Sequence, residues 1–371
     1  MCSAIVLFFT HDISRAIAML IVACPCTIIL STPTAFVAAL STTARLGVII
    51  KNLNSLEVAN RVDTLIFDKT GTLTTGQLTI TSITLNGRVS ESELMTLTAS
   101  IEQYSTHPVA KAVMMEAKKR NLTLWDTFDV TEKPGFGIQG RVKGTRIAVG
   151  RRIWIEHLCP GCSEQETAGC GTTRLYVAQD DHLIGVFHLA DTIRPDAATV
   201  IHDLQTQPSR QVIMLTGDRH SAANRIAGQL SCHVESEVMP DQKMARVEEA
   251  RRRGAVVGVV GDGVNDAPAL AAGDISMAMG AAGSDVAIHS AGVILMNNKL
   301  DRIPFVLELS RRVVATIRQN LAFSTLFILV LFWLSAGGII SPVLAAILHT
   351  SSSLIVVFNS ARLLRVGEAL S

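Results

Sequence analysis

The sequence has almost no net charge. Its 33 Lys and Arg residues nearly cancel its 32 Asp and Glu residues, and a net charge of +1 gives no electrostatic basis for a nucleic-acid partner. Two long stretches lack charged residues altogether: about 29 positions between Arg15 and Arg45 and about 43 between Arg318 and Arg362, where roughly 20 suffice to span a bilayer. These stretches predict transmembrane helices; the alternative is helices of a buried core.

A glycine- and proline-containing segment, 337–342, divides the second stretch into two spans joined by a tight turn. Residues 3–9 are apolar but few, and we expect them to be the end of another span. The positive-inside rule places residues from about 45 to 318 in the cytoplasm of an integral protein of the plasma (inner) membrane. The basic residues that support this orientation are Arg45, Lys51, Arg311, Arg312, Arg318, Arg362 and Arg365.

Neither a secretory leader nor a disulfide framework is expected. The first apolar stretch is short and has no cleavage pattern. The chain has seven cysteines, but its large loop is predicted to be cytoplasmic, where disulfides are rare. At 371 residues the chain is long enough for two or three domains.

Asp68 stands at the end of a predicted apolar strand and opens the run Asp-Lys-Thr-Gly-Thr-Leu-Thr. A carboxylate at this position suits attack on phosphorus, with formation of an aspartyl-phosphate. Lys69, the hydroxyl of Thr70 and the N–H groups of the turn can bind the equatorial oxygens of a transferring phosphoryl group. The alternative is an ordinary polar turn between strand and loop.

Two further apolar strands end in acidic turns. Residues 212–215 lead into Thr216-Gly217-Asp218, and residues 255–260 lead into a turn that carries Asp262, Asn265 and Asp266. Fully apolar strands alternating with helical patterns indicate a parallel sheet covered by helices, and ligands bind at the carboxyl ends of such strands. We therefore expect these acidic residues to lie at the same edge as Asp68.

Convergence at that edge suits Mg²⁺, which prefers oxygen ligands. We expect Asp68, Thr70 and Asp262 to hold the ion, with Asn265 and Asp266 supporting them through hydrogen bonds. Lys243 is a candidate cation for the phosphoryl oxygens; the alternative is an exposed lysine that begins a basic helix.

The motifs at 68–74, 216–218 and 261–266 resemble those of the P-type ATPases, in that family's order. The resemblance implies an α/β cytoplasmic region, with a haloacid-dehalogenase-like parallel-sheet phosphorylation domain and an inserted α+β nucleotide-binding domain, plus transmembrane α-helices. It also implies ATP and Mg²⁺ as cofactors. The competing enzyme class is a phosphatase of the haloacid-dehalogenase type, tethered to the membrane. Such phosphatases carry a general acid/base aspartate two residues after the nucleophile, where this chain has Thr70.

The insert contains a Ser-Thr-His-Pro run ending in His107-Pro108, followed later by Gly135-Phe-Gly137. Together these resemble the nucleotide-binding domain of the heavy-metal branch of the family, which implies that Glu102, His107, Gly135 and Gly137 surround the adenine. Taken alone, His-Pro is also a common helix start. Arg151 follows Gly150 where that branch usually has asparagine, so the resemblance does not define which residues form this edge of the pocket.

The predicted domains are a membrane region (1–48), a phosphorylation domain (49–76 and 190–308), a nucleotide-binding domain (77–189) and the last two transmembrane helices (309–371). The Asp-Thr-Ile-Arg-Pro-Asp segment that begins at Asp191 resembles the family's return into the phosphorylation domain. We interpret it as a structural hinge.

Cys24-Pro-Cys26 lies inside the first complete span. Proline disrupts a helix, and broken helix at membrane depth occurs where it lines a cavity or is buried in protein; we expect the carbonyl near Ile21 to be freed. Two thiols at the break offer ligands for a soft or borderline metal ion. The alternative is a kinked helix with two buried cysteines. The motif resembles the translocation signature of heavy-metal P-type ATPases.

The last span resembles that of the same branch in its Asn359–Leu363 end. Ten residues before Asn359, the copper subgroup has methionine and the zinc subgroup aspartate, whereas this chain has His349. In the preceding span Ile328 replaces the asparagine or lysine of those subgroups. We therefore predict a site of Cys24, Cys26 and His349 for a zinc- or cadmium-like divalent ion or for copper; the alternative for the histidine is a hydrogen bond to a neighbouring helix.

A second cysteine group comprises His157, Cys159, Cys162 and Cys170. Cys-Xaa-Xaa-Cys can nucleate a zinc site, but no second such pair completes it. We interpret this segment as a loop without metal.

Thr-Gly-Glu, the motif of the actuator domain in complete heavy-metal pumps, occurs nowhere in the sequence. In the family its glutamate directs water onto the phospho-aspartate. We therefore expect the chain to be the carboxyl-terminal portion of a pump whose missing amino-terminal segment carries the actuator. A non-transporting metal-binding remnant is the remaining alternative.

Overall fold

The computed structural model describes residues 2–87, 89–159, 173–207, 210–263, 266–280 and 289–368. The chain forms two compact units. Unit 1 comprises Met1–Ile66, His202–Val212 and Pro240–Ser371, and unit 2 comprises Phe67–Ile201 and Ile213–Met239.

The helices of the described residues are α1 (Cys2–Thr10), α2 (Ile13–Val22), α3 (Cys26–Arg45), α4 (Leu53–Ala59), α5 (Glu91–Glu102), α6 (Pro108–Lys119), α7 (Arg152–Leu158), α8 (Ala197–Gln205), α9 (His220–Leu230), α10 (Pro240–Arg252), α11 (Ala267–Ala272), α12 (Arg302–Ala336) and α13 (Pro342–Ala361). The strands are β1 (Val48–Ile50), β2 (Thr64–Asp68), β3 (Thr74–Leu85), β4 (Thr127–Lys133), β5 (Gly137–Val142), β6 (Thr145–Gly150), β7 (Thr173–Gln179), β8 (His182–Ile193), β9 (Gln211–Leu215), β10 (His233–Glu235), β11 (Val257–Gly261), β12 (Ile275–Met279) and β13 (Val293–Leu295).

Three helical stretches of unit 1 are long and apolar enough to cross a membrane: Ile13–Arg45, Arg302–Ala336 and Pro342–Arg365. Many of their large apolar side chains are exposed, as lipid-facing residues are. The turn between α12 and α13 lies where predicted, with Ser341 capping α13 and Pro342 as its first residue. The predicted spans are thus confirmed as helices of sufficient length.

Unit 1 also contains a sheet in the order β1-β13-β12-β11, continued by the amino-terminal residues of β2 and β9. The pairs β11–β12 and β12–β13 are parallel, whereas the short β1 pairs antiparallel with β13. Every residue of β11 and β12 is buried. Parallel strands covered on both faces read as continuous apolar runs, so the predicted parallel sheet is confirmed.

Unit 2 is built on a six-stranded antiparallel sheet in the order β3-β8-β7-β6-β5-β4. Helices α5 and α6 cover it through a core that includes Leu94, Ile101, Val113 and Phe187. This antiparallel sheet with its helices confirms the predicted α+β insert. The carboxyl ends of β2 and β9 and the parallel pair β9–β10 belong to the same unit.

Candidate phosphorylation, nucleotide and metal sites

Asp68 is the last residue of β2, and a tight loop follows it. Thr70 (φ −75°, ψ 131°) and Gly71 (φ 71°, ψ −13°) have the angles of the two central residues of a type II turn, in which the second position needs a positive φ. Glycine at 71 meets that need without strain. The turn leaves the Thr70 side chain exposed, whereas Lys69 is buried.

Lys69 forms an ion pair within unit 2. Its Nζ donates to Oδ2 of Asp218 at 2.6 Å. Thr216, buried at the end of β9, accepts the backbone N–H of Asp218 on its hydroxyl at 3.1 Å, which shapes the Thr-Gly-Asp turn. The predicted catalytic residues Asp68, Lys69, Thr70, Thr216, Gly217 and Asp218 therefore belong to one unit, and Lys69 has a carboxylate partner that the sequence did not reveal.

Arg194 and Asp191 brace the loop after Asp68. Arg194 donates from Nε to the carbonyl of Thr72 at 2.7 Å and from Nη2 to the carbonyl of Gly71 at 2.9 Å. Asp191 accepts the hydroxyl of Thr74 at 2.5 Å. Burial raises the pKa of Asp191, although the Thr74 hydrogen bond acts in the opposite direction. The segment interpreted as a hinge thus also holds residues 71–74, the carboxyl-terminal part of the phosphorylation loop.

Lys243, Asp262 and Asp266 belong to unit 1. Lys243 lies in the first turn of α10 and is 7% exposed, so the alternative of an exposed lysine is wrong. Asp266 accepts the backbone N–H of Gly263 at 2.8 Å, and its carboxylate packs against the Cα of Gly261, where a Cβ would lie 1.5 Å from Oδ2. Asn265 lies outside the described residues.

The predicted nucleotide residues Glu102, His107, Gly135 and Gly137 line one cavity of unit 2. Its volume is about 150 Å³. His107 caps α6, with its Nδ1 accepting the N–H of Val109 at 3.2 Å. His107 thus both begins a helix and lines the cavity, and with Nδ1 as an acceptor a neutral ring carries its proton on Nε2. The adenine-binding role of His107 stays a prediction.

Glu102 is the most perturbed acid of this cavity. It is 4% exposed, and burial followed by the nearby charge of Glu132 raises the pKa of Glu102 to about 7. Glu132 also accepts the hydroxyl of Ser105 at 2.7 Å. The sequence motif identified Glu102, the last residue of α5, but not Glu132, which lies on strand β4.

Gly137 and Gly150 are paired across β5 and β6, and Trp154 lies over both. A Cβ on Gly137 would lie 2.3 Å from the carbonyl oxygen of Val149 and 2.6 Å from the Trp154 ring. A Cβ on Gly150 would lie 2.7 Å from the same ring. Close packing of strand against indole therefore requires glycine at 137, whereas Gly135, at φ 79° with open space around it, faces no such contact.

The first membrane stretch is two helices rather than one kinked helix. Helix α2 ends at Val22 and α3 begins at Cys26, with Pro25 as its N-cap. The expectation of a freed carbonyl near Ile21 is wrong, because Ile21 O accepts the N–H of Cys24 at 3.3 Å. The residues between the two helices place both cysteines at the break.

Cys24, Cys26 and His349 meet in unit 1, and their candidate ligand atoms lie within 4.8 Å of one another. The Nε2 atom of His349 is buried and has no hydrogen-bond partner in the described part of the chain. The alternative of a histidine bonded to a neighbouring helix through this atom is therefore wrong. Cys24 and Cys26 are joined as a disulfide in the structure. Ligation by both sulfurs requires the reduced form, since the thiolate is the metal ligand.

Of the second cysteine group, only His157 and Cys159 lie within the described residues. Cys159 is buried and its Sγ lies 3.6 Å from the carbonyl oxygen of Asp180. Cys162 and Cys170 lie outside the described residues, so the interpretation of this segment stays a prediction.

Comparison with known proteins agrees with these motifs. The profile of the haloacid dehalogenase-like hydrolases matches residues 62–274. The chain is 42% identical to a zinc-exporting P-type ATPase of Mycobacterium marinum over 98% of its own length and 51% of that protein. It is 42% identical to a manganese-exporting P-type ATPase of Mycobacterium tuberculosis, again over 98% of its length and 52% of the relative. The chain thus spans about half the length of the curated relatives that it matches.

Solved structures of metal-transporting ATPases also match this chain. The crystal structure of a zinc-transporting PIB-type ATPase in the E2.Pi state matches with a TM-score of 0.83 at 34% identity, over 95% of this chain and 58% of that one. The catalytic domain of the CPx-ATPase CopB-B matches with a TM-score of 0.58 at 29% identity, over 72% of this chain and 98% of that one.

Proposed function

Because this chain belongs to the haloacid dehalogenase-like hydrolases, in the heavy-metal branch of the P-type ATPases, we propose that it is the carboxyl-terminal, catalytic part of an ATP-driven pump for a transition-metal cation. The observation that carries the proposal is the meeting of two cysteine sulfurs and an unpartnered imidazole nitrogen on membrane-length helices. Polar groups at such depth are expensive and usually functional.

Asp68 is the proposed phosphate acceptor. A carboxylate oxygen of Asp68 attacks the γ-phosphorus of ATP, the bond from that phosphorus to the β–γ bridging oxygen breaks, and ADP leaves as the aspartyl-phosphate forms. The N–H groups of the Thr70-Gly71 turn and the Thr70 hydroxyl, held by the hydrogen bonds from Arg194 to the loop, bind the phosphoryl oxygens. Oxygen donors suit Mg²⁺; by the sequence motifs Asp68, Thr70 and Asp262 would hold the ion, which would neutralise charge on the phosphoryl group. Lys243, Asn265 and Asp266 keep their predicted supporting roles.

The cavity lined by Glu102, His107, Gly135 and Gly137 is the proposed adenine site. His107 offers an Nε2–H donor, since its Nδ1 is engaged by the backbone of α6. Gly135 leaves one wall of the cavity open because it has no side chain and nothing within 4 Å of its Cβ position. These features suit a flat, polar-edged base.

The ligand set of two sulfurs and one imidazole favours soft or borderline cations, which include zinc, cadmium and copper. Manganese, which the relative from Mycobacterium tuberculosis is named for exporting, prefers oxygen ligands and fits this set less well. We therefore propose a zinc- or cadmium-like divalent ion or copper as the transported ion.

Thr70 offers no carboxylate to activate water, so we propose that the phosphate on Asp68 persists until a segment carrying an actuator domain discharges it. The alternatives are a membrane-tethered phosphatase and a metal-binding remnant. Labelling with γ-labelled ATP separates them. A pump portion gives an acid-stable, hydroxylamine-sensitive label that depends on the metal and is lost in Asp68→Asn. Continuous phosphate release without label indicates a phosphatase, and no reaction at all indicates a remnant.

A further inference from the structure

Two hydroxyl contacts join α3 to α13 within unit 1. Thr27 Oγ1 lies 3.0 Å from Ser352 Oγ, and Thr34 Oγ1 lies 2.9 Å from Ser360 Oγ. The residue offsets are nearly equal, so the two helices run parallel and the contacts lie about two turns apart. Only the first contact adjoins the metal site, because Thr27 follows Cys26 directly and Ser352 lies three residues after His349.

The Thr27 contact continues into the backbone of the histidine. Ser352 Oγ donates to the carbonyl oxygen of His349 at 2.6 Å. A serine hydroxyl has one proton, so the proton between Thr27 and Ser352 comes from Thr27. Ser31 in turn donates to the carbonyl oxygen of Thr27 at 2.8 Å. The result is a hydrogen-bonded bridge from the residue beside Cys26 to the backbone of His349.

This bridge is dry. Thr27 and Ser352 are each 1% exposed, and Ser31 is fully buried. Water therefore does not compete for the hydroxyls, and a hydroxyl buried without a partner costs free energy, so the paired arrangement is strongly preferred.

We propose that Thr27 is a positioning residue of the metal site: through Ser352 it holds His349 against Cys24 and Cys26. This inference rests on the proposed metal site, and it adds that the hydroxyl of Thr27 sets how the imidazole and the sulfurs are arranged. Groups just outside the ligands orient them, and their loss typically lowers metal affinity about 10- to 100-fold.

The chain supplies a matched control. Thr34→Val removes the same kind of hydroxyl from the same helix and breaks a contact of similar length to α13, but at a level away from the cysteines. Thr27→Val and Thr27→Ser complete the set, because valine keeps the shape of threonine without the hydroxyl and serine keeps the hydroxyl.

The test titrates Co²⁺ into the reduced full chain in detergent micelles and follows two absorption signals. Sulfur-to-cobalt charge-transfer bands report the cysteine ligands, and d–d bands report the coordination geometry. We expect Thr27→Val to weaken Co²⁺ binding about 10-fold or more and to change the d–d bands. Thr27→Ser should restore both signals, and Thr34→Val should leave both as in the wild type.

The outcomes separate this inference from the proposed function. A wild-type chain without charge-transfer bands, or with bands that survive Cys24→Ser and Cys26→Ser, overturns the metal site itself. Wild-type binding combined with equal behaviour of Thr27→Val and Thr34→Val overturns the positioning role alone. If Thr27→Val fails to fold, the double variant Ser352→Ala/Ser353→Ala decides, because Ser353 Oγ also lies 3.2 Å from Thr27 Oγ1 and 3.4 Å from the His349 carbonyl oxygen. This variant breaks the bridge from the α13 side and must reproduce the loss of affinity.

Discussion

Lys69 Nζ and Asp218 Oδ2 lie 2.6 Å apart although 149 residues separate them in the chain. The pair joins the residue after the proposed phosphate acceptor to the Thr-Gly-Asp turn. The Lys69 side chain is only 9% exposed whereas that of Asp218 is 37% exposed, so Asp218 is a hydrogen-bonded counter-charge for a nearly buried ammonium group.

Asp218→Asn should therefore destabilise unit 2, because the nearly buried ammonium group loses its hydrogen-bonded counter-charge, although it keeps its Coulombic interaction with Asp191. We expect a loss of about 1–3 kcal/mol, at the lower end for a buried pair because Asp218 is partly solvated. Lys69→Met should remove most of the penalty, so the double variant unfolds closer to the wild type than Asp218→Asn does. Thermal unfolding of the three variants measures this, and simple additivity would contradict the pairing.

Gly137→Ala should disrupt the nucleotide cavity. Its Cβ would strike the Val149 carbonyl and the Trp154 ring, and forced overpacking typically costs about 1–3 kcal/mol. We expect nucleotide affinity to fall with stability. Gly144→Ala, in the hairpin between β5 and β6, is the control: its φ of 84° strains alanine, but no atom lies near the new Cβ. Equal loss of nucleotide binding in both variants would refute the packing explanation.

Glu102 should make stability depend on pH. Its folded-state pKa, raised from 4.5 to about 7, means that the folded state holds a proton which the unfolded chain has lost between those values. The stabilising contribution is therefore complete below about pH 4.5 and disappears as the pH rises to about 7. At about 1.4 kcal/mol per pKa unit, the loss is on the order of 3 kcal/mol.

Glu102→Gln should lack this loss, so its melting temperature relative to the wild type rises from pH 5 to pH 7 and then levels off. Glu132→Gln should narrow the window, because it removes the second cause of the raised pKa of Glu102. A constant difference between the wild type and Glu102→Gln across this range would show that Glu102 is already ionised in the folded chain.

His349→Ala should raise the metal concentration needed for half-maximal labelling of Asp68 by at least 10-fold and change the order of preferred ions, because one of three ligands is lost. The measurement is metal-stimulated labelling from γ-labelled ATP. His182→Ala, an exposed histidine at the start of β8, is the control and should behave as the wild type. Unchanged metal preference in His349→Ala would exclude the histidine from the site.

Local sequence motifs predicted much of the candidate nucleotide site. The cavity gathers Glu102, His107, Gly135 and Gly137 as their motifs implied. The sequence pattern did not predict contacts between distant segments. These contacts are Glu132 beside Glu102, Trp154 over the glycine pair, and Arg194 on the loop carbonyls. Such partners carry no signature at fixed spacing, because the fold and not the chain order brings them near.

The sequence by itself determined the membrane helices, the break at Cys24-Pro-Cys26 and the turn after Asp68. Each depends on hydropathy, on the missing N–H of proline or on the positive φ that glycine adopts, and these are properties of a few neighbouring residues. The resemblance of the last span predicted that His349 joins the two cysteines, and the tertiary structure places their ligand atoms within 4.8 Å of one another. Only the tertiary structure decided that Thr27 and Ser352, 325 positions apart, share a hydrogen bond. That outcome depends on how α3 packs in parallel against α13, a relation between side chains of remote segments that no local preference encodes.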